Sequence, residues 1–323
     1  MNASPEIEFD CVLSGTLVCD ILVRPVPVGC GIRPEDLVQV DPIEVTTGGL
    51  VANTGIAMAR FGKRIAVFSY VGDDHWGSLL RKQLAVNGVD TGPLVTLTDQ
   101  ATSSTVVMID VQGERSFVHA PGAPSQLNKQ VFLKNLGLFA RSRMALFGYY
   151  SLVPHLDNDL PEILREVRRT GCRTAMDAAG TGGSMQPLDR ILPELDVYIP
   201  SLTEARHQTG QTNPRRIVQT YRDCGAPGIL GVKLGGDGAL LSPRSGEYIS
   251  VARVEPPGPI IDTTGAGDCF YAGLLTGILD GLPLEKSGQL AAAAGACCVT
   301  AAGASAGIRN LSETMTLARS NSQ

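Results

Sequence analysis

The run Asp262-Thr263-Thr264-Gly265-Ala266-Gly267-Asp268 sets a carboxylate where a glycine-rich turn meets an apolar, small-residue segment, Cys269-Phe270-Tyr271-Ala272-Gly273-Leu274-Leu275. That segment reads as a helix. The first N–H groups of a helix lack intrahelical acceptors and point outward, and the helix dipole adds partial positive charge there. Such a junction suits a phosphate or a developing oxyanion. Gly265 and Gly267 let a ligand approach the backbone with no Cβ in the way. Asp268 then stands where a base would face a bound phosphoryl group, so the chemistry such a junction suits is phosphoryl transfer. A plain helix start whose acidic residue only complements the dipole has the same pattern, and the motif alone leaves both readings open.

A second cluster lies far upstream. Thr47-Gly48-Gly49-Leu50-Val51-Ala52-Asn53-Thr54 opens a helical pattern, and Val71-Gly72-Asp73-Asp74-His75-Trp76-Gly77 forms a turn after the next strand. Gly48 and Gly49 can expose backbone N–H groups, and Asn53 offers both a donor and an acceptor. Such a set suits a polyhydroxylated ligand, although Gly-Gly before a helix also serves as a simple turn.

Alternating elements must hold these residues. Strands are predicted at Cys11–Ser14, Ile65–Tyr70, Met144–Phe147, Thr174–Met176, Val197–Ile199 and Ile229–Val232. Helices are predicted near Ala52–Phe61, Leu79–Val86, Leu160–Arg169, Thr203–Thr209, Pro214–Cys224, Ala266–Leu279 and Leu284–Thr300, with Gly62, Gly88 and Gly171 as C-terminal caps. This order predicts an α/β fold, a mostly parallel central sheet with helices on both faces. Two segments break the rhythm. Asp20–Thr46 has no helical period, and Thr105–Asp110 with Ser116–His119 reads as a hairpin. Both are expected to be antiparallel additions that cover a site or serve only as an edge. No repeat or interdomain linker is evident, so residues 1–323 are read as one domain with lid segments at about 20–46 and 103–120. Residues Ser312–Gln323 are polar and are expected to fray.

Composition narrows the partners. The 323 residues are 43% hydrophobic and 18% charged, with net charge −5 and no sustained basic run, which argues against nucleic acid or an anionic membrane. Arg165 to Arg173 reads as a solvated helix face. Cys11, Cys19, Cys30, Cys172, Cys224, Cys269, Cys297 and Cys298 show neither C-x-x-C nor zinc-finger spacing and fit a reducing compartment. Met1–Asp10 does not read as a signal peptide, and the alanine-rich Leu290–Ala302 is too short to span a membrane. The expectation is a soluble, cytoplasmic protein. His75, His119, His155 and His207 lack paired metal spacing, although His119 on the cover could meet a substrate. No G-x-x-x-x-G-K-S/T occurs and no complete G-x-G-x-x-G follows a strand, which removes P-loop kinases and nicotinamide-dependent oxidoreductases.

Taken together, Gly48–Asn53, Val71–Gly77, Val232-Lys233-Leu234-Gly235-Gly236-Asp237-Gly238-Ala239 and Asp262–Phe270 resemble the ribokinase-like carbohydrate kinases of the phosphofructokinase-B family, in order and over nearly the whole chain. The resemblance implies a ribokinase-like fold with a small β lid and an ATP-dependent transfer to a hydroxymethyl group of a small sugar or polyol. It implies Asp268 as base and the backbone of Gly265, Ala266 and Gly267 as anion hole. Asp20, Gly48, Gly49 and Asn53 would contact the acceptor, and Lys233, Gly235, Gly238, Glu204 and Thr264 the nucleotide side. Mg²⁺ would ride on the ATP phosphates. Asp262, Thr264 and the Ala302-Gly303-Ala304 loop resemble a site where some members hold a monovalent cation such as K⁺ through backbone carbonyls.

Three departures qualify the match. Ser201-Leu202-Thr203-Glu204 keeps the glutamate of the family's Asn-x-x-Glu but not its Asn. Gly148-Tyr149-Tyr150-Ser151 lacks the Glu that ribokinases place there for the sugar. Gly307 stands near a usual cation-site Ser, against K⁺. Two other readings stay open: a nucleoside kinase, with the Tyr149-Tyr150 pair stacking on a base, and a catalytically silent sugar-binding regulator. The exposed edge of the cover predicts a homodimer.

Overall fold

The computed structural model describes residues 6–27 and 35–320. Cys30 and the middle of the Asp20–Thr46 segment lie outside the described residues. Within them, nine strands form one sheet in the order Ile249–Val251, Ala239–Ser242, Ile229–Lys233, Val197–Tyr198, Arg173–Met176, Met144–Gly148, Cys11–Gly15, Ile65–Phe68, Val89–Asp90. Pairing is parallel from Ile229–Lys233 to Val89–Asp90 and antiparallel at the other end. Successive strand residues point to opposite faces. Leu13, Val67 and Leu146 therefore join one apolar core, and Val12, Phe68 and Phe147 join the other.

Helix starts fall earlier than the apolar periodicity indicates. The first helix runs Gly49–Arg60, and the second runs His75–Val86 behind Asp74, whose side chain accepts from Gly77 N. The long C-terminal-half helix ends at Cys298. Gly62, Gly88 and Gly171 take left-handed φ values of 81°, 78° and 92° past their helices, as expected. The strand predicted at Ile65–Tyr70 is broken. Ser69 donates its hydroxyl to Gly15 O (2.8 Å), and Tyr70–Gly72 departs to pair with Val95–Leu97. Residues Leu311–Ser320 are a helix with Thr314 and Ala318 buried, not a frayed tail.

The cover is a separate four-stranded sheet, in the order Glu44–Gly48, Val18–Val23, Ser104–Ile109, Arg115–Ala120. It is not wholly antiparallel: Val18–Val23 and Ser104–Ile109 run parallel, with Asp20 opposite Thr105. The chain leaves through the first helices and main-sheet strands before it returns, the long crossover that parallel neighbours require. The Val71–Gly77 turn anchors that return. Asp74 accepts from Thr102 N (2.8 Å) and Thr102 Oγ1 (2.7 Å), while Thr102 Oγ1 accepts from Gly72 N (2.9 Å). A Cβ on Gly77 would lie 2.2 Å from Gly72 O, so this motif is a structural staple for the cover.

Candidate active site

Gly265, at φ 74°, caps the helix Ala266–Leu279, and Asp268 occupies its first turn. A Cβ on Gly265 would come within 2.4 Å of Ala304 O, so only glycine lets the 302–304 loop close on this turn. Asp268 is 3% exposed. Asn53 Nδ2 donates to its Oδ2 (2.7 Å), and Tyr149 Oη lies 2.9 Å from both carboxylate oxygens, donating to the carboxylate. Burial raises the Asp268 pKa, while Asn53, Lys233 and Tyr149 pull it down, leaving it above the ordinary value. Burial and the Asp268 charge hold the Tyr149 phenol protonated, well above its usual range. Tyr149 adopts φ 55°, a left-handed conformation rare for a bulky residue. Strain of this kind concentrates at functional sites.

The residues expected to hold the acceptor come from Val18–Val23, Glu44–Gly48 and the helix Gly49–Arg60. Asp20 lies against Gly48, where a Cβ would fall 1.9 Å from its Oδ2, and Gly49, at φ 78°, is pressed on Thr16 O. Gly48 makes room for the carboxylate, and Gly49 for the backbone of Thr16. Burial and repulsion from Asp268 push the Asp20 pKa up to about 7. Asn53 Oδ1 is buried without a partner, an acceptor left for a ligand hydroxyl. Asp20, Thr105 and His119 form one cross-strand row on this face of the cover, with His119 Nδ1 2.9 Å from Thr105 Oγ1. The next row is apolar: Leu22, Val107 and Phe117, the last 61% exposed.

The nucleotide side centres on a cavity of about 440 Å³. Lys233, Gly235, Gly236, Gly238, Ala266 and Gly267 line it, together with Ala292, Gly295, Ala296 and Val299 from Leu284–Cys298. Lys233 Nζ pairs with Asp177 Oδ2 (2.8 Å) and would lie 3.4 Å from a Cβ on Gly267. Burial opposes its charge, but Asp177, Glu204 and Asp268 outweigh it and hold the ammonium above the usual lysine range. A fixed cation therefore stands beside the anion-binding turn. Glu204 accepts from Ser201 N (2.6 Å) in a capping box, which explains why a Ser suits position 201.

Most of the expected residues converge. Asp268, Asn53, Asp20, Gly48 and Gly49 meet on one side of the turn Gly265–Gly267, and Lys233, Gly235 and Gly238 on the other. Thr264 does not face the cavity; its hydroxyl donates to Asp262 (2.7 Å), and Thr263 lines the wall instead. Asp262 also accepts from Thr264 N (2.8 Å) and Gly303 N (3.0 Å), and pairs with Arg115 of the cover. Ala302 thus adjoins a carboxylate whose partners are protein groups. Both tyrosine hydroxyls are engaged within the protein. Tyr150 is buried and donates to Gly182 O (2.6 Å), while Tyr149 Oη is turned onto Asp268. Three contributors escaped the sequence reading: Tyr149 as a partner of the base, Asp177 and Arg115. Asp177 had a usable signal, since it directly follows a parallel strand, where α/β sites gather.

A mostly parallel sheet, with a glycine-capped helix start, a buried carboxylate and a fixed lysine gathered beside a cavity, has the parts of a phosphotransferase. The pfkB family carbohydrate kinase model matches residues 16–311. The chain is 26% identical over 290 residues to ribokinase of Haemophilus influenzae, covering 88% of this chain and 90% of the relative. It is 31% identical over 277 residues to aminoimidazole riboside kinase of Salmonella typhimurium, covering 80% and 83%. The structure of Arabidopsis thaliana ribokinase complexed with ribose and ATP superposes with TM-score 0.83 at 22% identity, covering 97% and 99%. The chain belongs to the pfkB family of carbohydrate kinases: it is an ATP-dependent enzyme that phosphorylates a sugar or nucleoside.

Proposed function

We propose that Asp268 takes the proton of an acceptor hydroxyl while the N–H groups of Gly265, Ala266 and Gly267, with Lys233 beside them, receive the transferring phosphoryl group. One observation carries this reading. Asp268 accepts from Asn53, whose Oδ1 is buried and unpaired, while Ala266 and Gly267 of its own turn line a cavity of about 440 Å³. Phosphoryl transfer needs positioning and charge neutralisation more than covalent help, and each of these groups is held in place before a ligand arrives. Asp20, Gly48 and Gly49 orient the acceptor, and Gly235 and Gly238 border the nucleotide. Mg²⁺ would bind chiefly through ATP phosphates and water. Glu204, next to Lys233, is the carboxylate placed to order that water shell.

Within the sugar-or-nucleoside class, the cover favours a ribosyl group that bears a flat substituent. The polar row Asp20–Thr105–His119 suits hydroxyls, and the adjoining Leu22–Val107–Phe117 row offers an exposed ring for a planar aglycone. ADP release measured with D-ribose, D-fructose, polyols and aminoimidazole riboside tests this. The riboside is expected to give the highest kcat/KM, and preference for a free hexose would overturn it. Binding of an acceptor with no ADP release would favour the silent regulator.

The opposite face of the cover carries an aliphatic row, Val45–Ile21–Val106–Val118, with Val45 39% and Val118 60% exposed. A second copy of the chain is the partner we assign to it. No helix among the described residues is long and apolar enough to cross a membrane. The described cysteines are free, which supports a cytoplasmic setting.

A further inference from the structure

Asp262 is 7% exposed and holds two loops together. Its Oδ1 accepts from Thr264 N (2.8 Å) and Thr264 Oγ1 (2.7 Å), and its Oδ2 accepts from Gly303 N (3.0 Å). Through these bonds it fixes the start of the Gly265–Gly267 turn against the 303–304 loop. The charge left on this carboxylate is met by the guanidinium of Arg115, whose Nη2 also binds Oδ1. Three donors thus converge on that one oxygen. Arg115 comes from the far end of the cover, on the strand face that also bears Phe117 and His119.

These groups do not fit a monovalent cation at the carboxylate. Such an ion needs oxygen lone pairs, and Oδ1 has spent its own on N–H and O–H donors. Oδ2 accepts from Gly303 N, and the neighbouring carbonyls of Thr264 and Ala304 accept from Cys298 Sγ (3.4 and 3.2 Å). The guanidinium stands at the same oxygen and would repel a second positive charge. Gly307 adds no hydroxyl. We propose that Arg115 is a positioning residue that replaces a monovalent cation at Asp262, so that phosphoryl transfer by this enzyme does not depend on K⁺. The charge that steadies the turn is then delivered by the cover itself.

The activity arm of the test rests on the kinase reading above; the binding arm does not. For binding, the melting temperature of the full chain is compared in potassium and tetramethylammonium chloride at matched ionic strength. No K⁺-specific rise is expected, and a specific rise overturns the proposal. For activity, wild-type turnover with the best acceptor of the panel should agree within about twofold between the two salts. Arg115→Ala should lose about tenfold or more in kcat, regain several-fold with millimolar guanidinium, and fall below Arg115→Lys. Activation of the wild type by K⁺ of more than about fivefold overturns the proposal, as does an Arg115→Ala enzyme of undiminished kcat. Should Arg115→Ala not fold, the wild-type salt comparison and Arg115→Lys still decide. If wild type and Asp268→Asn turn over alike, the fault lies in the assignment of the base, and the melting comparison still reports on the cation.

Discussion

Tyr149 acts on the Asp268 carboxylate, and that carboxylate in turn acts on Asp20. The Tyr149 phenol donates to the Asp268 carboxylate and lowers its pKa; the Asp20 carboxylate lies close enough for its own pKa to be raised by Asp268. Tyr149→Phe removes a donor to the ionised form, so the Asp268 pKa should rise. The acid limb of the kcat/KM profile should then move to higher pH while the alkaline limb stays, and an unmoved acid limb would detach Tyr149 from the base. Asp20 has a folded pKa of about 7 against an ordinary 3.8. Its stability contribution is therefore fully present below the ordinary value and is lost as pH rises toward and through 7. Asp20→Asn should raise Tm by roughly 2 °C or more at pH 8, with a smaller gain at pH 5, and should weaken acceptor binding. Scanning calorimetry at the two pH values, with acceptor KM, checks both. Asp268 and its turn were legible because Gly-x-Gly-Asp before an apolar segment has a local physical meaning. Tyr149 was not: its bond spans 119 residues, and nothing local marks its left-handed backbone.

Among the elements, caps and staples were written more plainly than sheet edges. Ser201 and Glu204 spell a capping box, and Asp74 caps its helix while also binding Thr102 across a gap of 28 residues. Asp74→Ala removes the cap and leaves the Thr102 groups unpaired, so it should cost about 1–3 kcal/mol in urea unfolding. Acceptor KM should rise more than ATP KM, because the staple positions the Ser104–Ile109 strand of the cover. Equal effects on both KM values would count against that link. The apolar runs of the parallel strands stood out, since burial on both faces leaves continuous hydrophobic stretches. The short antiparallel strands Ala239–Ser242 and Ile249–Val251 lacked such a run. The parallel pairing of Asp20 with Thr105 was not readable either, because it depends on how the intervening helices carry the chain back. The alanine-rich segment around Ala292–Ala296 gave a signal of a different kind: small side chains open a wall of the nucleotide cavity.

At the scale of the molecule, the main sheet gathers the turn, the base and the lysine, and the cover brings Asp20, His119 and Arg115 from the other side. The order of motifs along the chain was enough to give this division of labour. What closes the cleft was not, since the Arg115–Asp262 bridge joins residues 147 apart. The aliphatic row on the outer cover face belongs to this scale as well. Val106→Lys places a charge in its middle and should convert a dimer to a monomer in light scattering, with a loss of activity if the paired covers brace each other. A wild-type chain that is monomeric at micromolar concentration would contradict the assignment of that face. The most direct test of the whole account is single-turnover phosphoryl transfer by Asp268→Asn, run beside calorimetric binding of ATP and acceptor. The account predicts a transfer rate lower by about a thousandfold with both affinities within a few-fold of wild type. Transfer at the wild-type rate would contradict it.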